Sequence, residues 1–117
     1  MRHRKKKIKL GRSFHQRRAI LRVMARALIL KEKIFTTETK AKKIKSFIEK
    51  AISKAKQDNL NNRRILLADF SPRIVNKLFK EIGPRYAGQA GGYTRMIKTE
   101  PRKADGAKMV LLELIKK

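Results

Sequence analysis

The sequence predicts an α+β fold: about four helices packed on a small three-stranded mixed sheet, with a basic extended N-terminal tail. Three observations carry this. Between residues 13 and 82 apolar residues recur at three- and four-residue spacing, the mark of helices that bury one face. The segments 33–37, 93–100 and 109–115 are short and rich in β-branched or apolar residues, which suits strands. Residues 1–12, MRHRKKKIKLGR, hold seven Lys or Arg and no apolar period, so they have no reason to fold alone.

The elements follow in order. Gly11 separates the tail from what comes next, and Ser13-Phe14-His15-Gln16 fits a capping box that opens a helix. Its apolar residues Ala19, Ile20, Val23, Met24, Ala27 and Leu28 predict the core face, with Arg18, Arg22 and Arg26 on the opposite side and an end near Lys31. Lys33 to Thr37 reads as a strand. Thr37 then caps a second helix to about Gln57, whose stripe is Ala41, Ile44, Ile48, Ala51, Ile52 and Ala55, with Phe47 at the edge. Asp58-Asn59 breaks it and caps a short third helix through Leu67. Ser71-Pro72 is a favoured start for a fourth, carrying Ile74, Val75, Leu78, Phe79 and Ile82, with Gly83-Pro84 as the stop. A glycine-rich loop follows. Tyr93 to Glu100 and Met109 to Ile115 then make an antiparallel hairpin, the latter nearly all apolar as befits a central strand. With 117 residues the chain divides into a tail at 1–12 and a single domain at 13–117.

Charge sets the function class. Lys and Arg number 33 against 9 Asp and Glu, a formal charge of +24 and a pI near 11.3. Solubility calls for a magnitude of only about 2 to 8 in a small domain, so a polyanionic partner is implied. The chain has no cysteine, which removes disulfides and thiolate-bound metal. No apolar run is long enough to span a membrane, and Arg22 and Arg26 interrupt the one near the start. The Arg-rich, acid-free start resembles a transit peptide, but the Ser enrichment of such peptides is missing.

Catalysis finds no constellation. The nine acids are scattered, and the two histidines are His3 in the tail and His15 at a helix start. Ser13 and His15, two apart, do not face one another on a helix. No enzyme activity, metal, cofactor or small-molecule substrate is expected. The glycine loop departs from a P-loop, which needs a preceding strand and a Gly-Lys-Ser/Thr ending before a helix.

Nucleic acid is the expected partner, and the residues for it can be named. The tail offers Arg2, His3, Arg4, Lys5, Lys6, Lys7, Lys9 and Arg12. The first helix offers Arg17, Arg18 and Arg22, the third Arg63 and Arg64. Arg85 and Arg95 flank the loop glycines, where bare backbone admits a phosphate strand and two guanidinium forks grip it. Tyr86 and Tyr93 are candidates for stacking on bases, against the plain alternative of core tyrosines. The lysines at 42, 43, 45, 50, 54 and 56 fit a solvated face equally well. If tail and loop neutralise about ten phosphates, log K falls with log salt at a slope of roughly −7 to −9. No zinc ligands or leucine heptads of the usual DNA readers are present, and charge spread over several elements suits a folded RNA. An architectural DNA-binding protein is the alternative; a detachable membrane-active helix at Ser13–Lys31 is a third reading.

One resemblance sharpens this. Met1-Arg2-His3-Arg4, Arg17 with Ala19 and Met24, Thr36-Thr37, Lys40-Ala41-Lys42, Asn62-Arg63-Arg64 and Lys77-Leu78-Phe79 stand in order. Gly83-Pro84-Arg85-Tyr86 then leads to Ala90-Gly91-Gly92-Tyr93-Thr94-Arg95-Met96-Ile97-Lys98. Together they resemble the bacterial large-subunit ribosomal protein L seventeen family, from Met1 to about Leu114. The resemblance implies a small non-catalytic α+β protein in the large subunit of cytoplasmic ribosomes, bound to 23S ribosomal RNA beside neighbouring large-subunit proteins.

Overall fold

A computed structural model describes residues 13–115. The first helix, α1 (Phe14–Lys31), opens with the expected capping box: the Gln16 amide donates to Ser13 Oγ, and the Ser13 amide donates to Gln16 Oε1, both at 3.3 Å. It closes on Glu32, in the left-handed region at φ 64°, which turns the chain sharply into β1 (Lys33–Thr37). The second helix, α2 (Glu38–Ala55), buries Ala41, Ile44, Ile48, Ala51, Ile52 and Ala55, the whole stripe its spacing predicts. Asn59 caps α3 (Leu60–Leu67) by accepting from the Asn62 amide at 2.8 Å.

Two expectations for the helices are corrected. On α1 the buried residues are Leu21, Ala25, Leu28 and Ile29, while Val23 is exposed. The helix carries apolar residues all round, so two overlapping stripes coexist in its sequence, and packing selects the one centred on Leu21, Ala25 and Ile29 while keeping Leu28 buried and Met24 against the core's edge. Arg18 and Arg22 lie in register with Ala25 and Ile29 and extend the buried row rather than opposing it. The fourth helix also does not stop at Gly83-Pro84. Pro72–Lys77 (α4) runs into a π turn at Leu78–Ile82 and on through the three residues of α5 (Gly83–Arg85). Gly83 permits this: a Cβ there would sit 2.4 Å from the Ala55 carbonyl oxygen, so the glycine lets α2 and the π turn touch.

The sheet is antiparallel throughout rather than mixed. β3 (Met109–Leu114) lies between β1 and β2 (Thr94–Lys98), pairing Lys33 with Glu113 on one side and Arg95 with Glu113 on the other. Its Val110, Leu112 and Leu114 point into the core with residues of α1, α2 and the α4–α5 region. α1 is thus part of the core, which removes the detachable-helix reading. Among the described residues no helix is long and apolar enough to cross a membrane.

Candidate nucleic-acid interface

The described arginines nominated for RNA fall into two groups. Arg18, Arg22, Arg63, Arg85 and Arg95 each bond a carboxylate of this chain; Arg17, half-buried, and Arg64, exposed, are in no ion pair among the described residues. Arg18 and Arg22 converge on one atom, Asp69 Oδ1, at 2.8 and 2.9 Å. Both arginine side chains remain about 40% exposed, so they are oriented and not consumed. Arg63 forks onto Asp58 at 2.6 and 3.0 Å, with its guanidinium over the Phe79 ring at 4.6 Å. That bond holds the Asp58 carboxyl below its ordinary range and raises Arg63.

Arg85 and Arg95 flank one feature. Arg85 donates to Glu32 and Arg95 to Glu113. Glu32, Glu113 and Arg95 line a cleft of about 300 Å³ together with Lys31, Lys33, Leu114 and Ile115. Three cations and two carboxylates therefore line it, leaving a positive excess of one. The Glu32 bond raises the Arg85 pKa against the opposing effect of burial.

The loop glycines face elsewhere. Ala90 and Gly91 line a shallow groove of about 660 Å³ with Glu49, Lys50, Ser53 and Lys54 of α2 and with Asn62; its two lysines outnumber its one carboxylate. Neither Gly88 nor Gly91 has a positive φ, and a Cβ on either would meet nothing within 4 Å. The fold itself does not ask for glycine at these two positions, whereas Gly92, at φ 69°, takes the turn that favours it. So bare backbone and α2 lysines meet at one groove, while Arg95 lines a separate cleft whose Glu32 bonds Arg85.

The tyrosines are removed from the interface. Tyr93 is 1% and Tyr86 0% exposed, with ring centroids 5.1 Å apart. Lys56 Nζ donates to the Tyr93 hydroxyl at 3.0 Å and to the Gln89 carbonyl, which pins the loop to α2; the lysine lowers the Tyr93 pKa. The Tyr86 hydroxyl donates to the Ile115 carbonyl, and burial raises its pKa. Tyr93 as a base-stacking residue is corrected accordingly: a ring this enclosed has no free face. Sequence reasoning also missed Glu32, Asp69 and Glu113, since partners 18 to 53 residues apart leave no local signal. Arg2, His3, Arg4, Lys5, Lys6, Lys7, Lys9 and Arg12 lie outside the described residues.

With this geometry in hand, known proteins give context. The family model described as ribosomal protein L17 matches residues 20–115. The chain is 51% identical over 108 residues to the large ribosomal subunit protein bL17 of Carboxydothermus hydrogenoformans, covering 92% of this chain and 96% of that one. It is 48% identical to the protein of the same name from Maridesulfovibrio salexigens, covering 100% and 84%, and 47% identical to that of Gemmatimonas aurantiaca, covering 98% of both. A match of this extent, over both the helices and the sheet, means that the chain belongs to the ribosomal protein L17 family.

Proposed function

We propose that this protein is a structural constituent of the large ribosomal subunit, as its relatives are named, and that it binds 23S ribosomal RNA in the cytoplasm. The tail threads between RNA segments, and Arg17, Arg18 and Arg22 lay a cationic face on phosphates. Arg63 and Arg64 add a second contact on α3. Neighbouring large-subunit proteins complete its surroundings, and it carries no catalytic role.

The observation that supports this reading best is the groove beside Ala90 and Gly91. An exposed glycine, Gly91, with open space where a side chain would stand and Lys50 and Lys54 on the same groove, lets a phosphate backbone approach main-chain amides. The oriented arginines add guanidinium donors already fixed in direction, so less side-chain entropy is lost on binding.

The test is fractionation of a lysate on a sucrose gradient at low salt. The protein should sediment with large subunits. A protein found free, or with the nucleoid, contradicts the proposal. Affinities for duplex DNA and for ribosomal RNA fragments at raised salt separate the architectural DNA reading, which requires the two to be equal.

A further inference from the structure

We propose that the outer face of the sheet is a stacking platform for an unpaired RNA base, seated on Phe35 with neighbouring phosphates on Lys33 and Arg95. This rests on the RNA-binding reading above and adds a site to it.

The helices cover one face of the sheet, where Thr36, Thr94, Val110, Leu112 and Leu114 are buried. The opposite face carries Phe35, Leu111 and Ile97 in one cross-strand row, set by the pairings Phe35 with Leu111 and Ile97 with Leu111. Phe35 is 59% and Ile97 41% exposed. With strands about 4.8 Å apart, the row is a flat apolar strip roughly 10 Å wide, the breadth of a base. The next row along the strands, about 7 Å away, is Lys33, Glu113 and Arg95. Arg95 neutralises Glu113, which leaves Lys33 in excess, and this row borders the cleft that also holds Lys31.

Charge decides the occupant. A second copy would set +24 against +24 across a small patch. An unpaired nucleotide brings a π face for Phe35 and a negative phosphate for the adjacent cations, the combination by which single strands are bound. Tyr86 and Tyr93 are enclosed, so Phe35 is the aromatic that the sheet presents.

The chain has no tryptophan, so Phe35→Trp supplies a sole reporter at the platform. The full chain is titrated with a single-stranded oligoadenylate and with a blunt RNA duplex of equal length, each end-labelled so that anisotropy reports binding. Indole emission should be quenched on saturation by the single strand and unchanged by the duplex. Phe35→Leu keeps an apolar side chain but no ring; it should weaken single-strand binding about 5- to 100-fold and leave duplex affinity within twofold. The same change at Phe14, exposed on α1, should alter neither. Unchanged single-strand affinity in Phe35→Leu overturns the platform, and loss of that variant from ribosomal particles would then assign the face to a protein neighbour. If wild-type protein binds neither RNA, the broader RNA reading fails and the platform with it.

Discussion

Asp69 holds two arginines and can neutralise only one. The Arg18, Arg22 and Asp69 cluster therefore keeps a net positive charge while its geometry is fixed. Asp69→Asn keeps the shape and removes the carboxylate. Thermal unfolding should show a loss of about 1 kcal/mol, while RNA affinity at low salt rises roughly two- to fivefold from the added unit of charge. A fall in affinity would mean that orientation outweighs charge. In the β2–β3 loop, Arg102 forks onto Asp105 at 2.9 and 2.7 Å, and Arg102 and the Ala107 amide hold the Asp105 carboxyl at about 2 against an ordinary 3.8. A carboxyl depressed in the folded state stabilises above pH 4 or so and loses that contribution as pH falls toward 2. Arg102→Ala should return the Asp105 titration, followed by NMR, toward 3.8. Residue types were legible in the sequence at this scale: the arginines are guanidinium donors wherever they fall. Their carboxylate partners were not, because which acid meets which arginine is decided by tertiary packing.

At the scale of elements, legibility depended on how one-sided each pattern was. α2 has one apolar stripe and β3 one nearly continuous run, and both took the places their sequences predict. α1 offers two stripes, and only packing against α2 and β1 chooses between them. The Gly83-Pro84 pair has the look of a helix stop because glycine and proline usually end helices. Here glycine serves close packing, and proline falls in the first turn of α5, where its missing N–H costs little. The two kinds of glycine make opposite predictions. Gly83→Ala drives a methyl into the Ala55 carbonyl and should cost about 2 kcal/mol or more in urea unfolding. Gly91→Ala should change stability by less than about 0.5 kcal/mol yet weaken RNA binding severalfold, since the new methyl occupies the groove.

For the whole molecule the dominant fact is charge: among 117 residues, 33 cations face nine acids, and most of those acids are bonded to cations of the same chain. Like charges in such excess repel one another and weaken the compact state, and a polyanion relieves this. Removal of residues 1–12 takes away seven cations. Circular dichroism should be unchanged for the helices and sheet, and the slope of log K against log salt should become shallower by roughly 5 to 6. An unchanged slope would assign the phosphate contacts to the folded domain alone. Composition made the cationic excess legible at once, whereas the division of the cations between a groove, a cleft and a sheet face needed the fold.

β3 joins strands that never touch each other. Its pairing of Lys33 with Glu113 spans 80 residues of chain, so β1 waits without a partner until nearly all of that length has left the synthesising ribosome. At about 5 to 20 residues per second the wait is roughly 4 to 16 seconds. The basic N-terminal segment emerges before any of this. Under the proposed function, that segment meets RNA well before the sheet exists, and the outer face that carries Phe35 is the last part of the molecule to become a surface.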